Sequence, residues 1–359
     1  MIADAVIHAY DLSPANRAAG ATEEEYAQMQ LALLGMHQLW SDPAYLCPPT
    51  AYVGPWDAEA LASVVFLESD TDVAVYHDVA LTAVLANGGT PVAVGAEMAR
   101  ALPGRVLLYG GVDATGGPAA LDRLDELVED YGVAGFKFYP VTGLFDGDGR
   151  AEGVLLDDPE RMYPLLRRAE ELGVRHIAMH KAVPFRREAL HPYHNVHDVD
   201  AAAVAFPRLT FEVVHSGFAF LEETAFQLGR HPNVYANLEI SMNLIVRWPR
   251  RFARILGTLM QMGGPGRILY GTGAMLTHPQ PVIDAFRRFE MPADLVEEEG
   301  FPPVDDTVKD MILGGNLLHL HGLDPATLAD RLADDEVAKF RAEHGRAPAW
   351  SRLPAGAVA

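Results

Sequence analysis

A single cysteine, Cys47, in 359 residues excludes an intramolecular disulfide and any zinc cage built on several thiolates. No catalytic-cysteine signature surrounds it, so it reads as a buried, inert thiol. Basic residues are scarce: 28 Lys and Arg stand against 49 Asp and Glu, a formal charge of −21. Nucleic acid and anionic membranes both need a cationic face, which argues against either as a partner. The acidity itself reads as solubility. No apolar run approaches the roughly 18 uncharged residues that span a bilayer. The first apolar stretch carries Asp4 and lacks a basic leader, so it does not read as a signal peptide. A cytoplasmic location is the expectation. Internal repeats and low-complexity tracts are absent. No strand is followed by the G-x-G-x-x-G phosphate turn that an open doubly wound sheet often carries.

What is present is an ordinary globular balance, 49% apolar and 21% charged, in a chain long enough for two domains or one α/β barrel with insertions. Short β-branched runs recur: 2–7, 72–76, 105–109, 133–138, 175–179, 209–214, 234–238 and 267–270. Helical spacing fills most gaps, over 78–100, 118–131, 158–172 and 247–262. Eight strands alternating with helices predict a (β/α)8 TIM barrel over residues 1–322. The first connection, 11–71, is overlong and rich in Pro and aromatics, and reads as an insertion over the barrel mouth that acts as a lid. Residues 323–359 read as a C-terminal helical tail. Two helices are expected near 305–321 and 325–345, with the last ten residues poorly ordered.

Chemistry in a barrel sits where the strands end at their C-termini. His8, His77, Lys137, His180, His215 and Glu239 all stand at such ends. One strand-end histidine is usually a structural hydrogen-bonding group; four, with a lysine and a glutamate on six strands, point to one pocket. Imidazole with carboxylate suits zinc, manganese or iron. Lys137 reads as a substrate clamp, a bridging carboxylated ligand, a Schiff-base amine or a salt-bridged rim residue. Glu239 shares its strand side with Asn237, and faces the pocket as ligand or base, or forms an ion pair at the rim. His278 lies just past the eighth strand, as a pocket residue or a helix cap. His191, His194 and His197 read as rim or surface groups, and Arg186-Arg187 as a bidentate carboxylate site or a solvated pair. Tyr10, Tyr45, Tyr52 and Trp56 form either a wall over the site or the insertion's own core.

The segments Asp4-Ala-Val-Ile-His8-Ala-Tyr10, Gly135-Phe-Lys137-Phe-Tyr139-Pro140, Ile177-Ala-Met-His180, Phe211-Glu-Val-Val-His215-Ser-Gly217, Tyr270-Gly-Thr-Gly273 and Ile312-Leu-Gly-Gly-Asn316 together resemble the amidohydrolase superfamily, nearest to its branch related to aminocarboxymuconate-semialdehyde decarboxylase. The resemblance spans nearly the whole chain. It implies a divalent metal, zinc or manganese, with His8 and His180 as ligands and His215 as the catalytic histidine. Two positions depart from the pattern. Tyr10 replaces the second histidine of the first-strand pair, and Gly273 replaces the eighth-strand aspartate that in the family binds metal and takes a proton. The expectation is therefore a rebuilt site: metal on His8, His180 and His215; catalysis by His215, Glu239 and Lys137; substrate contacts from Tyr10, His77, His278 and Arg186. The leading reading is a metal-dependent hydrolase of a small planar or cyclic substrate. A metal-dependent decarboxylase on the same scaffold is the alternative, and a metal-free ligand-binding barrel without turnover is the third. A homo-oligomer is implied by the resemblance alone.

Overall fold

Eight strands order the chain: β1 Ala3–Ile7, β2 Val73–His77, β3 Val106–Asp113, β4 Gly135–Tyr139, β5 His176–His180, β6 Thr210–Val214, β7 Val234–Asn237 and β8 Ile268–Leu269. The structure, a computed structural model, describes residues 1–141, 153–184 and 192–354. Each strand pairs in parallel with its sequence neighbour from β1 to β8. A bridge from Ile7 to Ala274 and a hydrogen bond from Ala5 N–H to the Tyr270 carbonyl bring the end of the sheet back to its beginning. The result is a closed (β/α)8 barrel. Closure leaves no open edge, and it explains why strands buried on both faces are nearly continuous apolar runs.

The main outer helices are α1 Glu23–Trp40, α2 Val92–Ala101, α3 Pro118–Tyr131, α4 Met162–Glu171, α5 Asp198–Ala205, α6 Leu221–Arg230, α7 Pro249–Gly263 and α8 Pro279–Arg287; α9 Pro325–Leu332 and α10 Glu336–His344 follow the barrel. Their ends follow local chemistry. α1 starts on a capping box between Thr22 and Glu25. α3 has Pro118 in its first turn and stops at Gly132 in the left-handed region.

Several expected boundaries move. The helix read over 78–100 exists only over Val92–Ala101. Residues 78–91 instead form turns held from a distance: Asn16 donates to the Gly88 carbonyl and Ala18 N–H to that of Val84. Long-range hydrogen bonds override the local period there. β3 runs four residues past Tyr109, through Gly110-Gly111. The helix expected from 158 begins at Met162, because the Asp158 carboxylate holds a turn by accepting from Glu160 and Arg161 N–H. The helix expected over 305–321 is split by a wider turn at Met311–Gly315, where Gly314 packs on the Met1 carbonyl, a contact with no room for a side chain.

The overlong first connection does two things. α1 lies beside the barrel mouth, while Ala58–Leu67 packs against α2 and α10. The tail is clasped onto this insertion and onto Arg105 just before β3. Asp335 pairs with Arg105, Arg341 donates to the Phe66 and Ser69 carbonyls, and the Trp350 and Ser351 N–H groups donate to Glu68. Residues 350–354 are thus docked rather than loose; residues 355–359 lie outside the described residues.

Candidate active site

A cavity of about 410 Å³ opens at the C-terminal ends of the strands. His8, Lys137, His180, His215 and Glu239 come from the ends of five strands and all line it, as do Tyr10 and Tyr139. Its outer wall is apolar: Met29, Leu33, Met36 and Leu39 of α1, with Leu276 opposite.

The chain turns sharply after each of the last four strands. Ala182, His215, Ile240 and Gly273 all have φ near +65°. Three of these are not glycine, and a left-handed residue without glycine costs free energy that the surrounding fold must supply. At His215 the turn sets the imidazole between two partners. Its Nε2 lies 3.0 Å from His180 Nδ1, and its Nδ1 contacts Glu239 Oε2. His180 Nε2 in turn contacts the Val183 carbonyl. Proton positions follow from this order. A carbonyl only accepts, so His180 carries its proton on Nε2 and accepts on Nδ1. His215 Nε2–H then donates to His180. At its other end His215 Nδ1 meets Glu239 Oε2, so the row Val183–His180–His215–Glu239 ends in an imidazole–carboxylate pair.

The electrostatics agree with that assignment. Burial alone would raise the Glu239 carboxyl, but His215, then His8 and Lys137, outweigh it and hold it below the ordinary range. Burial, reinforced by His215 and Lys137, holds His180 well below its ordinary value, and it is neutral. Burial likewise brings His8 to about 4 despite Glu239. His8 Nδ1 donates to the His77 carbonyl at 3.2 Å, leaving Nε2 unprotonated. Lys137 is 1% exposed. Its ammonium lies 5.4 Å over the Tyr139 ring and makes no hydrogen bond or ion pair among the described residues. Burial pushes it down to about 8, against the opposing pull of Glu239 and Glu212.

Beneath the cavity the barrel interior is polar. Asn237 accepts from Glu239 N–H and donates to Glu212. Glu212 also accepts from the Tyr109 hydroxyl, which lies 3.1 Å from His321 Nε2. This post fixes the backbone from which Glu239 projects. Period-two alternation pairs Asn237 with Glu239, but nothing local reveals that Glu212 and Tyr109 complete the chain.

Other expected site residues fall elsewhere. His77 is fully buried and does not line the cavity; its carbonyl holds His8 and accepts from Thr90. His278 is not a pocket residue either. It caps α8 by accepting from Gln280 N–H, and its Nε2 lies 3.3 Å from buried Glu68. Of the aromatic set only Tyr10 reaches the cavity. Tyr52 stacks on His37 within the insertion, Tyr45 lies tilted over His278, and Trp56 packs edge-on against Trp350 of the tail. His194 is buried with its ring 5.9 Å from His180, and His197 bonds Asn195. Arg186, Arg187 and His191 lie outside the described residues. Cys47 is buried, with its thiol pushed up to about 12 by burial. The sequence reading missed Tyr139 and Val183, and it placed the insertion over the mouth without naming the α1 side chains that line the cavity.

The donor set does not fit the expected metal. Tyr10 and Gly273 remove two family ligands, and both nitrogens of His180 and of His215 are committed to the row just described. Of the three expected ligands only His8 keeps a nitrogen outside this row of contacts, where a catalytic zinc typically takes three protein ligands. Among the described residues no group of three His, Cys, Asp or Glu side chains is arranged to hold an ion.

Comparison with known proteins places this geometry in context. A family model described as amidohydrolase matches residues 37–320. No protein of curated function matches. Among solved structures, an uncharacterized TIM-barrel protein from Bordetella bronchiseptica is similar over 92% of this chain and 99% of its own, at 17% identity and a TM-score of 0.60. A 5-carboxyvanillate decarboxylase from Sphingomonas paucimobilis is similar over 90% and 99%, at 16% identity and 0.53. Another, from Novosphingobium aromaticivorans, with bound manganese, is similar over 90% and 96%, at 13% identity and 0.52.

Proposed function

The chain belongs to the amidohydrolase family, and from that premise we propose that it is a decarboxylase of a small organic acid, working by proton delivery from its own side chains. The carrying observation is Lys137: a nearly buried ammonium, unpaired among the described residues, facing a small apolar cavity. A buried unpaired charge is costly, and an anion entering the cavity relieves that cost. A carboxylate is the anion the branch resemblance and the decarboxylases among the structural relatives favour.

Loss of CO2 leaves an electron pair on carbon that must take a proton. The His215–Glu239 pair lies in the same cavity and supplies it. His180 positions His215, and the Val183 carbonyl fixes the tautomer of His180. The apolar wall of α1 keeps water from the carboxylate, which favours its departure as neutral CO2. The hydrolase reading is less well supported, because it needs a bound, activated water, and His180 and His215 are engaged with one another rather than turned to an ion.

The test is CO2 release from a panel of small hydroxyaryl and oxo acids, followed for the wild-type chain and Glu239→Gln. CO2 release that Glu239→Gln abolishes supports the reading. Hydrolysis of esters, lactones or amides without CO2 release from any acid overturns it.

A further inference from the structure

Decarboxylation needs somewhere for the electron pair to go while CO2 leaves. In this cavity a divalent ion does not fit the donors, His8 and His180 are neutral, and the His215 ring is already engaged by His180 and Glu239. The remaining centre is the nitrogen of Lys137. We propose that Lys137 is the covalent nucleophile of this site, condensing with the ketone of a small 3-oxo acid to form an iminium that takes up the electron pair. The inference rests on the decarboxylase reading and deepens it by naming the substrate class.

The placement suits an amine nucleophile. Lys137 projects from a barrel strand paired on both sides, so its position is rigid. Its nitrogen lies over the face of Tyr139 without a carboxylate partner within ion-pair distance among the described residues. An ion pair would hold the amine protonated and unreactive. Burial already brings it to about 8, so about a tenth is free amine at neutral pH. The ammonium form draws the acid in, and the amine form attacks. A cavity of about 410 Å³ is at the small end of ligand sites and admits little more than a substituted ring.

The steps balance without an added oxidant or reductant. The Lys137 amine attacks the ketone carbon, forming the C–N bond. The carbonyl oxygen leaves as water, taking one proton from the His215–Glu239 pair. The bond between the α-carbon and the carboxylate breaks, CO2 departs, and the electron pair moves into the iminium to give an enamine. Solvent reprotonates the pair, the enamine carbon takes that proton, and water then releases the ketone and a proton and regenerates the amine. In sum, one proton is consumed and one CO2 released per 3-oxo acid.

The experiment incubates the full chain with acetoacetate, 3-oxoglutarate or 2-oxocyclohexanecarboxylate, with and without sodium borohydride, and reads CO2 and the mass of the peptide carrying Lys137. Two variants accompany it, Lys137→Met and the charge-retaining Lys137→Arg, with circular dichroism as the fold check. The expected result is CO2 release, borohydride inactivation only when an oxo acid is present, and a reduced adduct on Lys137 that both variants lack. CO2 release without an adduct, or undiminished in folded Lys137→Arg, overturns the imine and leaves the decarboxylase reading standing. No CO2 from these acids or from the hydroxyaryl panel, together with no adduct, overturns both.

Discussion

The Glu239 carboxylate occupies the space that a side chain on Gly273 would need. A Cβ built on residue 273 overlaps Glu239 Oε1 and crowds its carboxyl carbon at 3.1 Å. On the proposed reading, the acid that the resemblance places on the eighth strand is supplied from the seventh, and a side chain at residue 273 would displace the Glu239 carboxylate. Gly273→Ala is expected to push the carboxylate off His215 and to lower turnover by ~10²-fold or more, the scale of losing a positioned acid. The φ of +64° at this residue adds backbone strain. Thermal unfolding with activity assays of Gly273→Ala, Glu239→Gln and the double variant checks this. The double variant should be no worse in turnover than Glu239→Gln alone, since both changes remove the same contact.

Metal should be dispensable. Protein purified without added metal is expected to contain no stoichiometric zinc or manganese, and to keep its activity after exhaustive dialysis against a chelator. Elemental analysis before and after dialysis measures this. Stoichiometric metal, lost together with activity and restored by manganese, would show that the His180–His215 hydrogen bond opens to bind an ion.

Asp4 gives stability a pH dependence. Burial raises its carboxyl from 3.8 to about 7, against hydrogen bonds from Thr272 and Val6 and with repulsion from Glu239 added. The folded state therefore holds this proton more tightly than the unfolded chain. Its contribution is full below the unfolded value and is lost as pH rises from about 4 to about 7. Asp4→Asn keeps an oxygen for the two N–H donors and an N–H for the Thr272 hydroxyl. It should flatten this part of the dependence, and melting curves of the two proteins across that range measure the difference.

Glu68 carries the clasp between insertion and tail. It accepts from Ser63, Ser351 and the Trp350 and Ser351 N–H groups, and it faces His278. Glu68→Ala leaves His278 and two backbone donors without their partner, so a loss of ~1–3 kcal/mol for each buried group left unsatisfied is expected, measured by denaturant unfolding. Turnover at temperatures where the variant stays folded should change little, because neither Glu68 nor His278 lines the cavity.

The sequence by itself carried the barrel and most of the strand-end residues of the site. Apolar runs of strand length, separated by helix-period segments with their own caps, specify βαβ units, and eight such units close. Pro118 and Gly132 mark one helix to the residue because capping is local chemistry. The strand-end positions of His8, Lys137, His180, His215 and Glu239 were likewise visible, since strands end where the apolar pattern ends. Partnership was not visible. His77 and His278 looked no different from His8 and His215, yet one lies under the site and the other faces Glu68, 210 residues away in sequence. That Glu239 would fill the space above Gly273, and that both nitrogens of His180 and His215 would be spent in one row, depends on four strands meeting at angles no local pattern encodes. Hydrogen bonds select partners within about 3 Å in space, and only barrel closure brings those atoms within that distance.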